Sequence, residues 1–152
     1  LYPAMLAAEE GFRQLIWTDA IEHKYIEEAG TMNVIFIINN VLVTPISGDT
    51  ILNGITKKSV LEIAKDWGIE IQERKIEVEE ILNALKRGSL TEAFGAGTAA
   101  TIAPISNISL NGENFIIPES RPDHFHVKVL EYLSKYKRGE VQDKFNWLEV
   151  LN

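Results

Sequence analysis

The residues best suited to chemistry in this sequence stand at the start of a predicted helix. Gly54 allows close approach of the backbone, and Thr56 enters an amphipathic helix whose apolar face extends to Trp67 and which Gly68 ends. The first amides of such a helix have no internal partners and carry partial positive charge, so this start, Ile55-Thr56, can hold an anion. An ordinary turn capped by threonine is the alternative interpretation.

A second stretch, residues 95–100, combines small residues with one hydroxyl group. Its two glycines and three alanines remove side-chain bulk, which leaves backbone amides able to approach a ligand. Thr98 adds a hydroxyl donor, and together these groups suit a phosphate or a carboxylate. A tight loop between strands is the alternative. A dinucleotide fingerprint is excluded because the glycine spacing and the strand-turn-helix context both fail.

A third stretch, residues 27–33, brings a carboxylate close to a strand that contains no polar residue. Glu28 enters a segment of small residues just before the apolar strand predicted at residues 34–38. If Glu28 points inward, it needs a cationic or protonated partner, because an unpaired buried charge is very costly. The alternative is a surface position, where glutamate usually lies. Together the three stretches describe a site with two anion-binding turns and one carboxylate.

The elements that must position these stretches are mostly strand hairpins, with helices inserted between them. Two hairpins are predicted, one around Asn39-Asn40 and one around Asn111-Gly112, because asparagine and glycine tolerate the positive φ of tight turns. Other strands are predicted at residues 14–18, 24–26, 69–74 and 101–105, and helices at residues 2–10, 56–67 and 78–85, with a final helix capped by Asp123. This pattern predicts an α+β fold with a mixed, mostly antiparallel sheet flanked by helices.

Composition limits the class of protein. The chain has 152 residues, is 45% hydrophobic and carries a net charge of -7, which suits one globular domain and argues against a broad nucleic-acid surface. It contains no cysteine, its apolar runs are too short to cross a bilayer, and no signal peptide is visible. A cytoplasmic protein without membrane or nucleic-acid partners is predicted. No metal site is predicted, because His124 and His126 should point apart on a helix.

The three stretches resemble, in this order and at these separations, the branched-chain amino acid aminotransferases, which are pyridoxal-phosphate enzymes of fold type IV. The motifs are Glu28-Ala29-Gly30-Thr31-Met32-Asn33, Leu52-Asn53-Gly54-Ile55-Thr56-Lys57-Lys58-Ser59 and Phe94-Gly95-Ala96-Gly97-Thr98-Ala99-Ala100. The resemblance covers nearly the whole chain and corresponds to the large C-terminal domain of that family. It implies that residues 1–152 are a cofactor-binding domain with a barrel-like sheet, cut from a longer protein.

The resemblance implies that pyridoxal 5'-phosphate is the cofactor and that three residues contact its ring. Glu28 resembles the carboxylate that bonds the protonated pyridine nitrogen and so keeps the ring an electron sink. Thr31 lies at a position that supports the ring region, and Leu52 resembles the residue that packs on one ring face. The Gly-Thr-Met-Asn form of the first motif favours branched-chain enzymes within the fold type.

The resemblance also implies donors for two anions. Gly54, the amides of Ile55 and Thr56 and the Thr56 hydroxyl resemble the cup that holds the cofactor phosphate. Thr98 resembles the second hydroxyl on this phosphate. The amides of Thr98 and Ala99 resemble the turn that receives the substrate carboxylate. The implied substrates are a branched-chain L-amino acid and 2-oxoglutarate, and the implied parent enzyme is a homo-oligomer.

The family's chemistry needs a lysine that forms the internal Schiff base. In the family this lysine lies on a strand shortly before the helix with which this chain begins, so it would stand upstream of Leu1 and no catalytic residue is assigned within the chain. Lys57 and Lys58 adjoin the phosphate cup, but a lysine at a helix start usually points to solvent. The chain alone is therefore predicted not to transaminate.

Two other functions stay open from the sequence. D-amino acid transamination and aminodeoxychorismate lysis are related fold-type IV activities that share the cofactor motifs. A non-catalytic binding or assembly domain, which keeps the fold without the chemistry, is an alternative of a different class. A lysine followed by an asparagine-tyrosine pair upstream of Leu1 would exclude this last alternative.

Overall fold

Strands and helices alternate irregularly along the chain in the computed structural model, which describes residues 2–149. Residue 1 and residues 150–152, the ends of the predicted domain, lie outside the described residues. The elements in chain order are α1 (Tyr2–Glu9), β1 (Ile16–Thr18), β2 (Ile26–Ala29), β3 (Met32–Ile38), β4 (Val41–Pro45), α2 (Ile55–Asp66), β5 (Ile71–Arg74), α3 (Val78–Lys86), β6 (Leu90–Gly97), β7 (Thr101–Pro104), β8 (Asn107–Leu110), β9 (Glu113–Ile116) and α4 (Phe125–Lys137).

The sheet is organised around β3. This strand pairs with β6 along one edge, and on its other edge β2 pairs with its beginning and β4 with its end, all in the antiparallel direction. β1 and β7 extend the sheet in the antiparallel direction, whereas β5 joins β4 in parallel. The seven strands thus form the mixed, mostly antiparallel sheet that the sequence predicts, and β8 and β9 form a separate hairpin.

The prediction that residues 34–38 are buried on both faces is confirmed, because each face of β3 packs into its own core. Ile35 and Ile37 face the cluster formed with α2 and α4, whereas Val34 and Phe36 face the cluster that includes α3. Successive side chains of a strand point to opposite faces, so a run of apolar residues supplies both clusters at once. The sheet therefore has α2 and α4 packed on one face and α3 on the other.

The turn chemistry of both predicted hairpins is confirmed. Asn39 and Asn40 join β3 to β4 with φ angles of 50° and 63°, and Asn111 and Gly112 join β8 to β9 with φ angles of 52° and 79°. These left-handed conformations match the twist of the flanking strands and are adopted most easily by asparagine and glycine. In the part of the chain that the structure describes, every helix is too short or too polar to cross a membrane.

Three predicted strands begin two residues later than expected, and one predicted cap is wrong. One of these strands, predicted at residues 24–26, is β2 at Ile26–Ala29. β5 begins at Ile71 rather than at Ile69, because the Ile69 amide donates to the carbonyl of Ala64 and so belongs to the turn that ends α2. β1 starts at Ile16, two residues later than predicted. Asp123 does not cap α4: its N-cap is His124, and the acceptor for the first amides of the helix is Glu92 of β6.

Candidate functional site

Asn33, the second residue of β3, joins the three stretches that the sequence singles out. Its side-chain amide donates a hydrogen bond to the carbonyl of Leu52 at 2.8 Å and a longer one to Oε1 of Glu28 at 3.3 Å. Its backbone lies opposite Ala96 of β6 in the antiparallel register. The stretches at residues 27–33, 52–56 and 95–100 therefore meet at the end of the sheet where β3 begins.

Asn33 is absent from the site residues predicted from the sequence, where it appears only as the last residue of a motif. Its side chain is buried, and a buried amide has to find hydrogen-bond partners within the protein. An asparagine directly before five apolar strand residues was the signal that could have found it, because such a strand has no other polar group to position neighbouring loops.

The carboxylate of Glu28 is half-buried on β2 and does not project freely into solvent. Besides the bond from Asn33, its Oε1 accepts one from the backbone N–H of Leu52 at 3.1 Å. Its Oε2 has no hydrogen-bond partner among the described residues. One oxygen thus holds the loop that leads to α2, while the other can accept a bond from a protonated ligand group.

Helix α2 begins with amides that have no partner. Its N-cap is Gly54, which has no side chain to bond them, and the amides of Ile55 and Thr56 have no acceptor within residues 2–149. Thr56 is the second residue of the helix, so of the two sequence interpretations a first-turn threonine is confirmed and a threonine cap is wrong. These donors, together with the dipole of a 12-residue helix, are suited to an anion.

Gly54 is required by a close approach within the protein rather than by its backbone conformation. Its φ of -63° and ψ of 138° are accessible to any residue. A Cβ at this position would, however, collide with the side-chain oxygen of Asn33. The glycine therefore lets Asn33 lie against the residue that caps α2, which fixes where the free amides of the helix point.

The glycines of the second predicted anion-binding stretch belong to β6 and not to a loop. Gly95 and Gly97 pair with Ala103 and Thr101 of β7, and a Cβ on either glycine would press on the side chain of Met32. The expectation that their amides approach a ligand is thus corrected: their missing side chains make room for Met32. The exposed turn is residues 98–100, so the alternative of a tight loop between strands holds for these three residues.

The two predicted substrate-binding residues, Thr98 and Ala99, lie in this turn and are exposed. Because β6 runs antiparallel to β3, the turn after β6 and the turn that contains Thr31 before β3 stand at the same end of the sheet. Apolar side chains also stand open near this end: Leu52 is 71% exposed and Ile55 is 69% exposed. Free donors, a carboxylate and uncovered apolar side chains thus occur close together.

The prediction that a lysine at the start of α2 points to solvent is wrong for Lys57. Its side chain is 1% exposed, and its ammonium donates to the carbonyl of Pro45, the hydroxyl of Ser47 and the carboxylate of Glu73. Lys58, the next residue, is exposed as predicted. An ammonium whose three N–H groups are all bonded is held in place and is not poised as a nucleophile.

The prediction that His124 and His126 point apart is also wrong. Their ring centroids lie 5.6 Å apart, and one ligand atom each of Glu92, His124 and His126 falls within 4.8 Å of the others. The carboxylate of Glu92 accepts bonds from the amides of Phe125 and His126 and contacts Nδ1 of His126 at 2.6 Å. Nε2 of His126 lies 2.8 Å from the hydroxyl of Ser120.

The hydrogen bonds of this buried cluster explain it without a metal ion, because Glu92 caps α4 from the neighbouring strand. Burial alone would raise the pKa of Glu92, but the bonds from the His126 ring and from the two helix amides outweigh it, so the pKa lies below its ordinary value. The cluster joins β6 to α4 and stands outside the three stretches that meet at Asn33.

A family profile described as amino-transferase class IV matches residues 1–108 of this 152-residue chain. The chain belongs to the class IV aminotransferases. Among curated relatives in this family, the chain is similar to branched-chain-amino-acid transaminase 1 of Bacillus subtilis, with 40% identity over 141 residues. It is 42% identical over 142 residues to branched-chain-amino-acid aminotransferase 2 of the same organism. These alignments cover 93% of the chain but only 40% and 39% of the two relatives.

Solved class IV aminotransferases share the fold. The branched-chain amino acid aminotransferase of Escherichia coli matches with a TM-score of 0.78 and 28% identity, over 98% of this chain and 46% of that one. The T.th. branched-chain amino acid aminotransferase, complexed with N-(5'-phosphopyridoxyl)-L-glutamate, matches with a TM-score of 0.77 and 25% identity, over 97% of this chain and 45% of that one. The family resemblance and the fold predicted from the three motifs are confirmed.

Proposed function

We propose that this chain is the cofactor-binding domain of a pyridoxal-phosphate enzyme that transaminates branched-chain L-amino acids with 2-oxoglutarate. The observation that carries the proposal is the meeting of a partly unpaired carboxylate, the partnerless amides of α2 and the β6–β7 turn at one end of the sheet. The names of the relatives support the choice of branched-chain substrates over D-amino acids and over a non-catalytic domain.

The donor and acceptor groups of this end of the sheet fit pyridoxal 5'-phosphate. When bound, this cofactor supplies an electron sink for the charge that develops at the substrate's α-carbon. In this proposal the free oxygen of Glu28 accepts a hydrogen bond from the protonated ring nitrogen and holds the proton there, while its other oxygen stays bonded to Leu52. The exposed side chain of Leu52 offers an apolar cover for one ring face, and Thr31 stands in the adjoining turn.

The phosphate and the substrate carboxylate need separate donors. In this proposal the phosphate is held at the start of α2 by the amides of Ile55 and Thr56 and by the hydroxyls of Thr56 and Thr98. The partial positive charge of a helix N-terminus stabilises such a dianion. The amides of Thr98 and Ala99 hold the substrate carboxylate. Both groups are anions, so the two sets of donors orient cofactor and substrate without a metal ion.

Several features of the whole protein belong to the same proposal. The chain spans about two fifths of the length of its curated relatives, so the boundaries of the domain, residues 1–152, are inferred from the family. The covalent attachment of the cofactor is assigned to a lysine outside this chain, because no lysine of the chain matches the family position. Lys57, which adjoins the phosphate site, is buried and fully bonded. We likewise infer from the family that the full-length protein assembles into a homo-oligomer and is cytoplasmic.

The first experiment titrates pyridoxal 5'-phosphate into the purified 152-residue chain and follows binding by equilibrium dialysis and absorbance. We expect saturable binding, and no glutamate when leucine and 2-oxoglutarate are added. Turnover by this chain would contradict the assignment of the essential lysine to another segment. Absence of any pyridoxal-phosphate binding, by this chain and by the full-length protein, would contradict the proposed cofactor.

A second experiment tests the substrate class with the full-length protein. Leucine, valine and D-alanine are offered in turn with 2-oxoglutarate, and the oxo acid formed from each is measured. We expect products from leucine and valine and none from D-alanine. A product from D-alanine alone would favour a D-amino acid aminotransferase, and an inactive protein that still binds the cofactor would favour a non-catalytic domain.

A further inference from the structure

Lys57 is a fully buried charge three residues into the helix that supplies the proposed phosphate site. Its side chain is 1% exposed, and an ammonium without partners in such a place would be very costly. A cation in the first turn of a helix also opposes the helix dipole. The stability of α2 therefore does not account for a lysine at this position, and its role has to come from what it contacts.

The contacts of Lys57 fix the first turn of α2 to the edge of the sheet. Its ammonium donates to the carbonyl of Pro45 at 2.7 Å and to the hydroxyl of Ser47 at 3.0 Å, and it pairs with Glu73 at 3.0 Å. Pro45 ends β4, Ser47 begins the loop that follows, and Glu73 lies on β5. These three acceptors use all three donors of the ammonium, so its position is determined.

The same loop is held from its other end by Asn33. The Asn33 amide bonds the carbonyl of Leu52, and Asn33 also fills the space beside Gly54. Residues 46–54 are thus fastened at Ser47 by Lys57 and at Leu52 by Asn33, and the amides of Ile55 and Thr56 follow directly. Donors held in one orientation before a ligand arrives bind it with little further ordering.

We propose that Lys57 is a positioning residue for the phosphate of the cofactor: by fastening the first turn of α2 to β4, the following loop and β5, it holds the amides of Ile55 and Thr56 in place. This inference rests on the proposed function. It assigns a task to a lysine that does not react, and it predicts that the loss of Lys57 affects the recognition of the phosphate group and spares the recognition of the pyridine ring.

The test compares pyridoxal 5'-phosphate with pyridoxal, which lacks the phosphate, as ligands of the full-length protein. The dissociation constant of pyridoxal divided by that of pyridoxal 5'-phosphate measures how much the phosphate group contributes to binding. We expect Lys57→Met to reduce this ratio by about tenfold or more, since a shift of about 1 Å in the donors is enough for such a loss. Affinity for pyridoxal itself should change little. Lys58→Met, which removes the same charge from the exposed neighbouring residue, is the matched control and should leave the ratio unchanged.

Two milder variants keep the test decisive if Lys57→Met does not fold. Ser47→Ala and Glu73→Gln each weaken one partner of the ammonium at residues that are only partly buried or exposed, and both should lower the ratio by a smaller factor. Equal losses for both ligands, or an effect of Lys58→Met as large as that of Lys57→Met, would overturn the inference. A wild-type protein that does not prefer pyridoxal 5'-phosphate over pyridoxal would instead contradict the proposed function.

Discussion

At the scale of single residues, the site depends on polar side chains that hold one another. Glu28 and Asn33 face each other on β2 and β3, and both bond the backbone of Leu52. The carboxylate thereby positions a loop with one oxygen and presents the other to a ligand. One oxygen of Glu28 therefore has a structural role, toward Leu52, and the other has the proposed chemical role, toward the ligand, so a substitution can test the two roles separately.

Glu28→Gln is expected to preserve the position of the loop at Leu52 and to weaken the binding of the cofactor. The glutamine oxygen can still accept the bond from Leu52, but a neutral amide cannot stabilise a protonated ring nitrogen. We expect affinity for pyridoxal 5'-phosphate to fall about 10- to 100-fold, the equivalent of one charge-assisted hydrogen bond. Equilibrium dialysis of the purified chain measures this change, and urea unfolding checks that stability is retained.

The control for this prediction is the adjacent carboxylate. Glu27 bonds the hydroxyl of Thr50 and takes no part in the bonds to Leu52. Glu27→Gln removes the same charge from the same strand and should leave cofactor affinity close to that of the unchanged chain. Equal effects of the two substitutions would show that net charge, rather than the position of Glu28, governs binding.

Residue identities could be predicted from the sequence where a motif carried them, and the contacts between residues could not. Glu28 and Thr56 stand out by type and spacing, whereas the burial of Lys57 depends on acceptors in β4, the loop after it and β5. The partners of Glu92 lie more than 30 residues away along the chain. No local pattern reveals contacts between residues that only the fold brings together.

At the scale of elements, the position of α2 depends on a glycine that has an ordinary backbone conformation. Replacement of glycine by alanine at such a position usually stabilises a protein slightly, because it restricts the unfolded chain. Gly54→Ala should do the reverse and destabilise by about 1–3 kcal/mol, since its Cβ collides with the side-chain oxygen of Asn33. We also expect weaker binding of pyridoxal 5'-phosphate, because relief of the collision displaces the first amides of the helix.

Gly48→Ala is the matched control in the same loop. A Cβ at Gly48 would meet no described atom within 4 Å, so this substitution should leave both stability and cofactor affinity unchanged or slightly improved. Urea unfolding and equilibrium dialysis of both variants measure the difference. A stable Gly54→Ala variant with normal affinity would show that the contact between Gly54 and Asn33 does not position α2.

The connection between β6 and α4 predicts a dependence of stability on pH. The pKa of Glu92 is lower in the folded chain than its ordinary value of 4.5, so its contribution is present above about pH 4.5 and is lost as the pH falls through the folded pKa. Glu92→Gln should cost about 1–3 kcal/mol at pH 7, because the helix amides and the His126 ring lose a charged acceptor.

Urea unfolding from pH 7 to pH 3 tests this prediction. The difference in free energy of unfolding between the unchanged chain and Glu92→Gln should shrink as the pH falls, because a protonated carboxyl group is neutral like the glutamine amide. Glu131→Gln, on the exposed side of α4, is the control and should show no comparable loss at neutral pH. A difference that stays constant down to pH 3 would contradict the role assigned to the charge of Glu92.

The course of the elements was predictable where local chemistry decides it. The asparagine and glycine turns and the apolar strand at residues 34–38 follow from residue type alone, and the structure has them where the sequence predicts them. The parallel pairing of β4 with β5 could not be predicted, because it depends on where α2 returns the chain to the sheet. The same holds for the cap of α4, which comes from another strand.

At the scale of the whole molecule, helices contribute very unequally to the core. None of the eight described residues of α1 is buried, whereas five residues of α4 are. Leu133 of α4 is 5% exposed and Leu6 of α1 is 42% exposed. Leu133→Ala should therefore destabilise the chain by about 2–5 kcal/mol, because it leaves a cavity in the core.

Leu6→Ala is the matched control for that prediction and should change the free energy of unfolding by about 0.5 kcal/mol or less. Urea unfolding of the 152-residue chain measures both variants under one set of conditions. If Leu6→Ala lowers the free energy of unfolding as much as Leu133→Ala does, then α1 packs against the rest of the protein far more closely than the exposure of Leu6 indicates.

The attachment of the site to the first residues of β3 has a consequence for hydrogen exchange. Asn33 directly precedes the β3 residues that supply both cores. The backbone amides of these residues point alternately to the two edges of β3, so they exchange with solvent only when β3 separates from β6 on one edge or from β2 and β4 on the other. Deuterium uptake at residues 33–36 should consequently be as slow as the slowest in the chain, even before any ligand is added. The polar end of the sheet would then be as resistant to local unfolding as its interior, whereas the adjoining turns at residues 30–31 and 98–100 would exchange quickly.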